Sequence, residues 1–168
     1  RIGSQANGSV AQTILTNGAN FNLTVSGGNL RVGDSANPAT SRLIIENSTL
    51  TMTGGTLGIP YAAGAIGEVT QNGGTVSGGV VAFSDSGAGT GTYTIKNATL
   101  DTIQIRKDAL AGIASIYFDN AILRTASTAN NAFFSGLDLA EIQVGGLTLD
   151  AQVNVSIDQI LSGAGNLV

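Results

Sequence analysis

An internal repeat of about 50 residues constrains this chain more than any other feature of its sequence. Residues 25–50 read VSGGNLRVGDSANPATSRLIIENSTL, and residues 76–100 read VSGGVVAFSDSGAGTGTYTIKNATL. The two segments share Val-Ser-Gly-Gly, Asp-Ser and a closing Asn-x-Thr-Leu, at a shift of 51 residues that becomes 50 after one deletion. Self-similarity at a fixed period is typical of proteins that stack one structural unit on the next.

A shorter period of about 25 residues divides these units. Asparagines follow short β-prone runs at spacings of 27, 25, 25 and 23 residues, and each is followed within a few residues by an apolar side chain. We interpret the asparagines as a column that either forms an amide ladder or holds left-handed bends, and the apolar residues as a core ladder. The asparagines are Asn20, Asn47, Asn72, Asn97 and Asn120, and the apolar residues are Leu23, Leu50, Val76, Leu100 and Leu123.

This pattern predicts an all-β fold, a single-stranded parallel β-helix (β-solenoid) with coils of about 23–27 residues. One coil cannot bury its apolar side chains alone, whereas stacked coils share one continuous core. Parallel crossovers are overwhelmingly right-handed, so we expect a right-handed coil. An antiparallel sandwich also has short strands and Gly-rich turns, but it has no reason to repeat matching side chains at a fixed spacing.

We expect one domain over residues 1–168. Residues 20–125 hold the regular double repeats, and residues 143–168 resume the alternation of apolar and polar residues. Residues 126–142 break the pattern, and we predict an irregular insertion or loop there, with room for one helical turn at residues 136–142. Its Phe133 and Phe134 are our candidates for lateral contact with a partner. Apolar residues near both ends lead us to expect further coils beyond the chain, or identical copies stacked end to end.

Composition excludes several classes of function. The net charge is −4 and the seven Lys and Arg are scattered, so no basic stripe is available for nucleic acid. There is no Cys for a disulfide or a thiolate metal site, and no His for a catalytic triad. No run of 18 apolar residues predicts a transmembrane helix. We expect no cofactor and no metal.

The C-terminal stretch carries a resemblance to a known family. LTLDAQVNVSIDQILSGAGNLV, and above all Leu-Ser-Gly-Ala-Gly-Asn-Leu at residues 161–167, resembles the repeat of autotransporter-associated β-strand proteins. The upstream Val-Ser-Gly-Gly and Asn-Ala-Thr-Leu phrases are similar to the passenger stalks of the same bacterial proteins. The resemblance implies a solenoid stalk or adhesin at the extracellular or outer-membrane surface of a Gram-negative bacterium.

A polysaccharide lyase or hydrolase is the enzyme class to weigh, because many β-helices cleave glycans. Such enzymes use paired carboxylates, for which Asp101 and Asp119 are the candidates. Arg106, Lys107 and Arg124 would supply nearby positive charge. The competing interpretation is a solvated outer face, and we favour it because no catalytic motif accompanies these residues.

Two further binding sites are weaker alternatives. Asp34 and Asp85 occupy equivalent Gly-rich turns and suggest calcium, but each turn offers one acid where calcium takes six to eight oxygens. Thr-x-Thr runs at residues 49–53 and 90–94 suggest an ice-binding array, but they occupy different places in the coil.

The sequence therefore favours a non-catalytic structural or adhesive stalk of a surface or secreted protein that self-associates end to end into fibres. The alternative is a β-helix that binds or cleaves carbohydrate. Partners under the first hypothesis are neighbouring coils, identical copies, or a surface glycan or protein.

Overall fold

The computed structural model describes residues 2, 10–23, 28–35, 39–109 and 111–168, with only the backbone described at residues 22 and 23. Those residues form strands and turns without any helix. Alternating apolar and polar residues favour short strands, and Gly, Asn and Pro interrupt them. The strands are β1 Val10–Leu15, β2 Asn20–Leu23, β3 Asn29–Arg31, β4 Thr40–Met52, β5 Thr56–Ile59, β6 Ile66–Phe83, β7 Thr90–Lys96, β8 Thr99–Lys107, β9 Ile113–Asp119, β10 Ala121–Thr125, β11 Ala132–Ser135, β12 Leu139–Ile142, β13 Leu147–Asp150 and β14 Ser156–Ile157.

The strands stack in parallel into three faces of a β-solenoid of about five turns. Face A contains β1, β4, β6, β7, β9 and β12 in that order. Face B contains β2, β4, β6, β8, β10 and β13. Face C contains β3, β5, β6, β8, β11 and β14. The predicted β-solenoid is confirmed, and the parallel pairing excludes an antiparallel sandwich.

Coil length follows from the register on face A. Thr40 aligns with Ile66, then with Thr90 and Ile113, in steps of 26, 24 and 23 residues. The first step, from Val10 to Thr40, is longer at 30 residues. The repeat is therefore regular from Thr40 onward and longer in the first coil, outside the predicted range.

The core ladder on face B consists of side chains stacked in register. Leu50, Val76, Leu100 and Leu123 are each at most 1% exposed, and consecutive members are aligned by the strand pairing. Leu23 is not their neighbour: Phe21 pairs with Leu50, while the backbone of Leu23 pairs with Met52. The side chain of Leu23 lies outside the described residues. The longer first coil explains the displacement, because counting back a standard coil ends two residues too far along the chain.

Phe133 and Phe134 belong to the core, which corrects the expectation that they contact a partner laterally. Both side chains are 0% exposed. Phe134 lies in β11, where it aligns with Ile105 and Ile157, and its ring packs edge-on against Phe118 at 6.2 Å between centroids. The segment 126–142 contains β11 and β12 and so completes a coil. No helical turn forms at residues 136–142, where β12 begins at Leu139.

One polar pair interrupts the aliphatic interior. Gln71 and Tyr93 are both 0% exposed, and the Tyr93 hydroxyl donates to Gln71 Oε1 at 2.7 Å. Gln71 Nε2 in turn donates to the Thr99 carbonyl at 2.9 Å. Burial raises the pKa of the Tyr93 hydroxyl, so it stays a hydrogen-bond donor. The pair joins face A to face B, and its satisfied polar atoms favour one register of the coils.

Candidate functional site

The corner between faces A and B is where the predicted asparagine column was expected. Asn47, Asn97 and Asn120 adopt positive φ angles of 48°, 49° and 50°. This left-handed conformation lets each coil turn sharply from one face to the next. Because Asn tolerates it better than most residues with a side chain, these three positions have the bend that one interpretation of the asparagine column predicted.

Asn20 and Asn72 lie inside strands, so the column is shorter than predicted. Asn72 is aligned with Glu46 and Lys96 in face A, and the bend of its coil falls on Gly73 and Gly74, with φ of 79° and 74°. Asn20 begins β2, and the bend before it falls on Asn17 and Gly18. A bend can move by one residue whenever glycine follows asparagine, since both residues adopt the left-handed conformation.

Two of the corner asparagines also form the predicted ladder. Asn120 Nδ2 donates to Asn97 Oδ1 at 2.8 Å, on the exposed side of the corner. The bend and the amide ladder are therefore both present, and they coexist at the same residues. The ladder leaves Asn97 Nδ2 and Asn120 Oδ1 facing away from each other without a partner among the described residues.

Threonines form a column on the outer surface of face B, next to this corner. Thr49, Thr75 and Thr99 are aligned on consecutive coils, and Ile122 and Thr148 continue the column. The Thr-x-Thr run at residues 90–94 lies in β7, on face A. The two threonine runs thus belong to different faces, as the sequence indicated, but the stacking creates a hydroxyl column that the sequence analysis missed.

A groove follows the corner between the asparagines and the threonine column. It consists of two connected clefts of about 290 Å³ and 180 Å³ that share Asn120, Ala121 and Thr148. Asn97 and Asn120 line one side, and Thr99, Ile122 and Thr148 line the other. Its floor contains Ala98 and Ala121, which are buried. We name this surface the corner groove.

The small residue after each bend asparagine could have revealed the corner groove from the sequence. Ser48, Ala98 and Ala121 follow Asn47, Asn97 and Asn120 directly, and each is at most 6% exposed. A large side chain at these positions would fill the floor. The pattern of Asn, a small residue, any residue and Leu therefore encodes a bend with an open corner.

The candidate catalytic carboxylates have different partners in the structure. Asp119 pairs with Lys96 at 3.2 Å and accepts from the Gly145 amide at 2.9 Å. Asp101 lies on face B aligned with Arg124, and desolvation raises its pKa while Arg124 opposes the shift.

The basic candidates each hold an acidic partner of their own. Arg124 bonds Asp150 at 2.7 Å, Arg106 bonds Asp108 at 2.7 Å, and Lys107 bonds Asp138 at 2.8 Å. The arrangement on the page is one of separate ion pairs, with Arg124 and Asp150 stacked on successive coils.

Asp34 and Asp85, the calcium candidates, lie at the corner between faces C and A. Asp34 pairs with Arg31 at 3.4 Å. Desolvation raises the pKa of Asp85, the neighbouring Asp108 raises it further, and Arg106 and Arg31 oppose the shift. Among the described residues, no three His, Cys, Asp or Glu side chains are grouped so that they could hold a metal ion.

Replacing Asp85 with Asn is expected to stabilise the fold at neutral pH. Because the pKa of Asp85 is raised on folding, the native state binds its proton more tightly than the unfolded state does. The wild-type chain therefore loses stability as the pH rises from the ordinary aspartate pKa through the raised one. Solvent screening limits the gain to about 1 kcal/mol or less, at most about 4 °C in Tm.

The gain should shrink as the pH falls and vanish below the ordinary aspartate pKa, where Asp85 is protonated in both states. Thermal melts at several pH values, monitored by circular dichroism, measure it. Glu46→Gln, at an exposed position in face A, is the matched control. A gain for Asp85→Asn that does not depend on pH would contradict the assignment.

Comparisons with known proteins give no family for this chain: no protein-family model, no curated protein and no solved structure matches it. Within the described part of the chain, no helix is long and apolar enough to cross a lipid bilayer.

Proposed function

We propose that this chain is a rod-forming, adhesive segment of a bacterial cell-surface or secreted protein, with a structural role in place of a catalytic one. The observation that carries the proposal is the pairing of outward charges between successive coils. Arg42 with Glu68, Lys96 with Asp119, and Arg124 with Asp150 each join aligned residues of neighbouring coils, at 2.6, 3.2 and 2.7 Å. These charges hold the register of the rod, since opposite charges directly across a strand pair favour that pairing.

The resemblance of residues 161–167 to autotransporter-associated repeats supports a place on the bacterial surface. A solenoid suits that role because its length grows with the number of coils while its cross-section stays constant. Adhesion then requires only that one outer face contact a partner.

End-to-end association is part of this proposal. Near one end of the stack, Val10 and Phe21 are 55% and 41% exposed; near the other, Ile160 and Val168 are 83% and 81% exposed. Strand edges with apolar side chains at the end of a stack favour pairing with a further coil. We therefore propose that a second copy of the chain stacks on the first, end against end.

Sedimentation velocity over a range of concentrations tests the rod and its association. We expect an elongated particle whose sedimentation coefficient rises with concentration. Ile160→Lys combined with Phe21→Lys should leave a monomer, because charges at both ends repel a stacked copy. Ile113→Lys, which changes an apolar residue that is 55% exposed on the side of face A, is the control and should associate like the wild type. A compact monomer at every concentration would refute the proposal.

The choice against catalysis has its own measurement. Pectins and uronans are incubated with the protein, and new reducing ends are assayed. We expect no release above a heat-denatured sample. Release that Asp101→Asn or Asp119→Asn abolishes would establish a polysaccharide-cleaving enzyme instead.

A further inference from the structure

We propose that the corner groove binds an uncharged linear polysaccharide that lies along the axis of the solenoid. This inference rests on the adhesive part of the proposed function, for which it names the ligand class and the site. Asn97, Asn120, Thr99, Ile122 and Thr148 supply the contacts.

The charge pattern around the corner groove points to a neutral ligand. No side chain that lines the two connected clefts is charged. Charged side chains lie on either side of it: Asp101 and Arg124 are on the outer surface of face B, and Lys96 and Asp119 are at the end of face A. These flanking charges are paired across coils. A neutral chain can enter the groove without breaking an ion pair or losing the hydration of its own charge.

The polar groups in the corner groove match hydroxyl groups. After the bond between the two corner asparagines, Asn97 Nδ2 remains a donor and Asn120 Oδ1 remains an acceptor. A sugar hydroxyl both donates and accepts, so it can satisfy either atom. The hydroxyls of Thr99 and Thr148 add donors and acceptors on the opposite side, and Ile122, which is 37% exposed, offers an apolar surface to the C–H face of a sugar ring.

An extended peptide fits this corner less well, because the main chain along it is already paired. The Ile122 amide donates to the Ala98 carbonyl at 2.9 Å, and the Ala121 amide donates to the Gly146 carbonyl at 3.2 Å. Peptides that bind by adding a strand need free backbone groups at a sheet edge. Only side-chain amides and hydroxyls remain here, and they repeat once per coil, at about 4.8 Å. That step is close to the length of one sugar ring, so a linear glycan can make the same contact on successive coils.

Affinity electrophoresis tests the proposal with soluble β-glucan, galactomannan and xylan as neutral probes and with polygalacturonate as the charged one. We expect at least one neutral polysaccharide to retard the protein, to the same extent at low and high salt. Asn97→Gly and Asn120→Gly keep the left-handed bend while removing an amide. Each should weaken binding about fivefold, the effect of one lost hydrogen bond.

Asn47→Gly is the matched control, since Asn47 forms the same kind of bend but does not line the corner groove. Its binding should equal that of the wild type, and circular dichroism should show that all three variants remain folded. Three outcomes overturn the proposal: no neutral polysaccharide retards the protein, polygalacturonate alone does so, or Asn97→Gly and Asn120→Gly bind like Asn47→Gly. Sedimentation of the rod is independent of the polysaccharide, so failure here is distinguishable from failure of the rod-forming role.

Discussion

Replacing Phe134 with Ala is expected to lower the free energy of unfolding by about 3–5 kcal/mol, the range for a buried phenylalanine. The side chain is 0% exposed, and it stacks between the coils of Ile105 and Ile157. Its ring also contacts the edge of Phe118. Truncation leaves a cavity that a stacked sheet cannot close, because each coil is fixed by the hydrogen bonds of its neighbours.

Chemical denaturation followed by circular dichroism measures this loss. Phe21→Ala is the control, since Phe21 is 41% exposed and should lose much less stability. If Phe134→Ala cost no more than Phe21→Ala, Phe134 would lie on the surface, and residues 126–142 would be the lateral loop that the sequence suggested.

Replacing Gly74 with Ala is expected to cost about 2–5 kcal/mol, from two separate causes. The φ angle of Gly74 is +74°, a left-handed conformation that costs an alanine about 1–2 kcal/mol. A Cβ at this position would also meet the backbone of Ser48 in the preceding coil, with the Ser48 nitrogen at 2.6 Å. Relieving such an overlap costs about 1–3 kcal/mol more, because two stacked coils must separate.

Two other glycines separate these causes. Gly54 has a φ of +67° with nothing within 4 Å of an added Cβ, so Gly54→Ala should show the conformational cost alone. Gly91 has no positive φ, but its added Cβ would meet the Ile59 backbone, with the carbonyl carbon at 2.8 Å, so Gly91→Ala should show the contact cost alone. Denaturation of the three variants side by side tests whether the two costs add. A Gly74→Ala loss no larger than that of Gly54→Ala would show that the coils are not in contact at this corner.

The repeat predicted much of the fold because its signal is local. In a strand, alternate residues point to opposite faces, so a Leu at a fixed distance after a bend always points inward. That is why Leu50, Val76, Leu100 and Leu123 could be aligned from the sequence. The prediction did not extend to Leu23, since the first coil is longer and a shift of two residues leaves the alternation intact.

The third strand of each coil carried no comparable signal. Face C is separated from the corner asparagine by turns of variable length, so its inward residues do not recur at a fixed spacing. Phe134 looked exposed because its surroundings in the chain are polar and irregular. It is buried because the coils of Ile105 and Ile157 lie on either side of it.

The sequence by itself determined that this chain stacks in coils, where those coils bend, and which alternate residues are apolar enough to face a core. Each of these depends on interactions within a few residues or on the repetition of one unit. The tertiary structure alone decided which residues lie next to each other on the outside. Thr99 and Thr148 belong to different coils, and Asn97 meets Asn120 only when the register is fixed. Register depends on the summed length of every turn and on packing across all three faces, so the corner groove exists only in the stacked molecule.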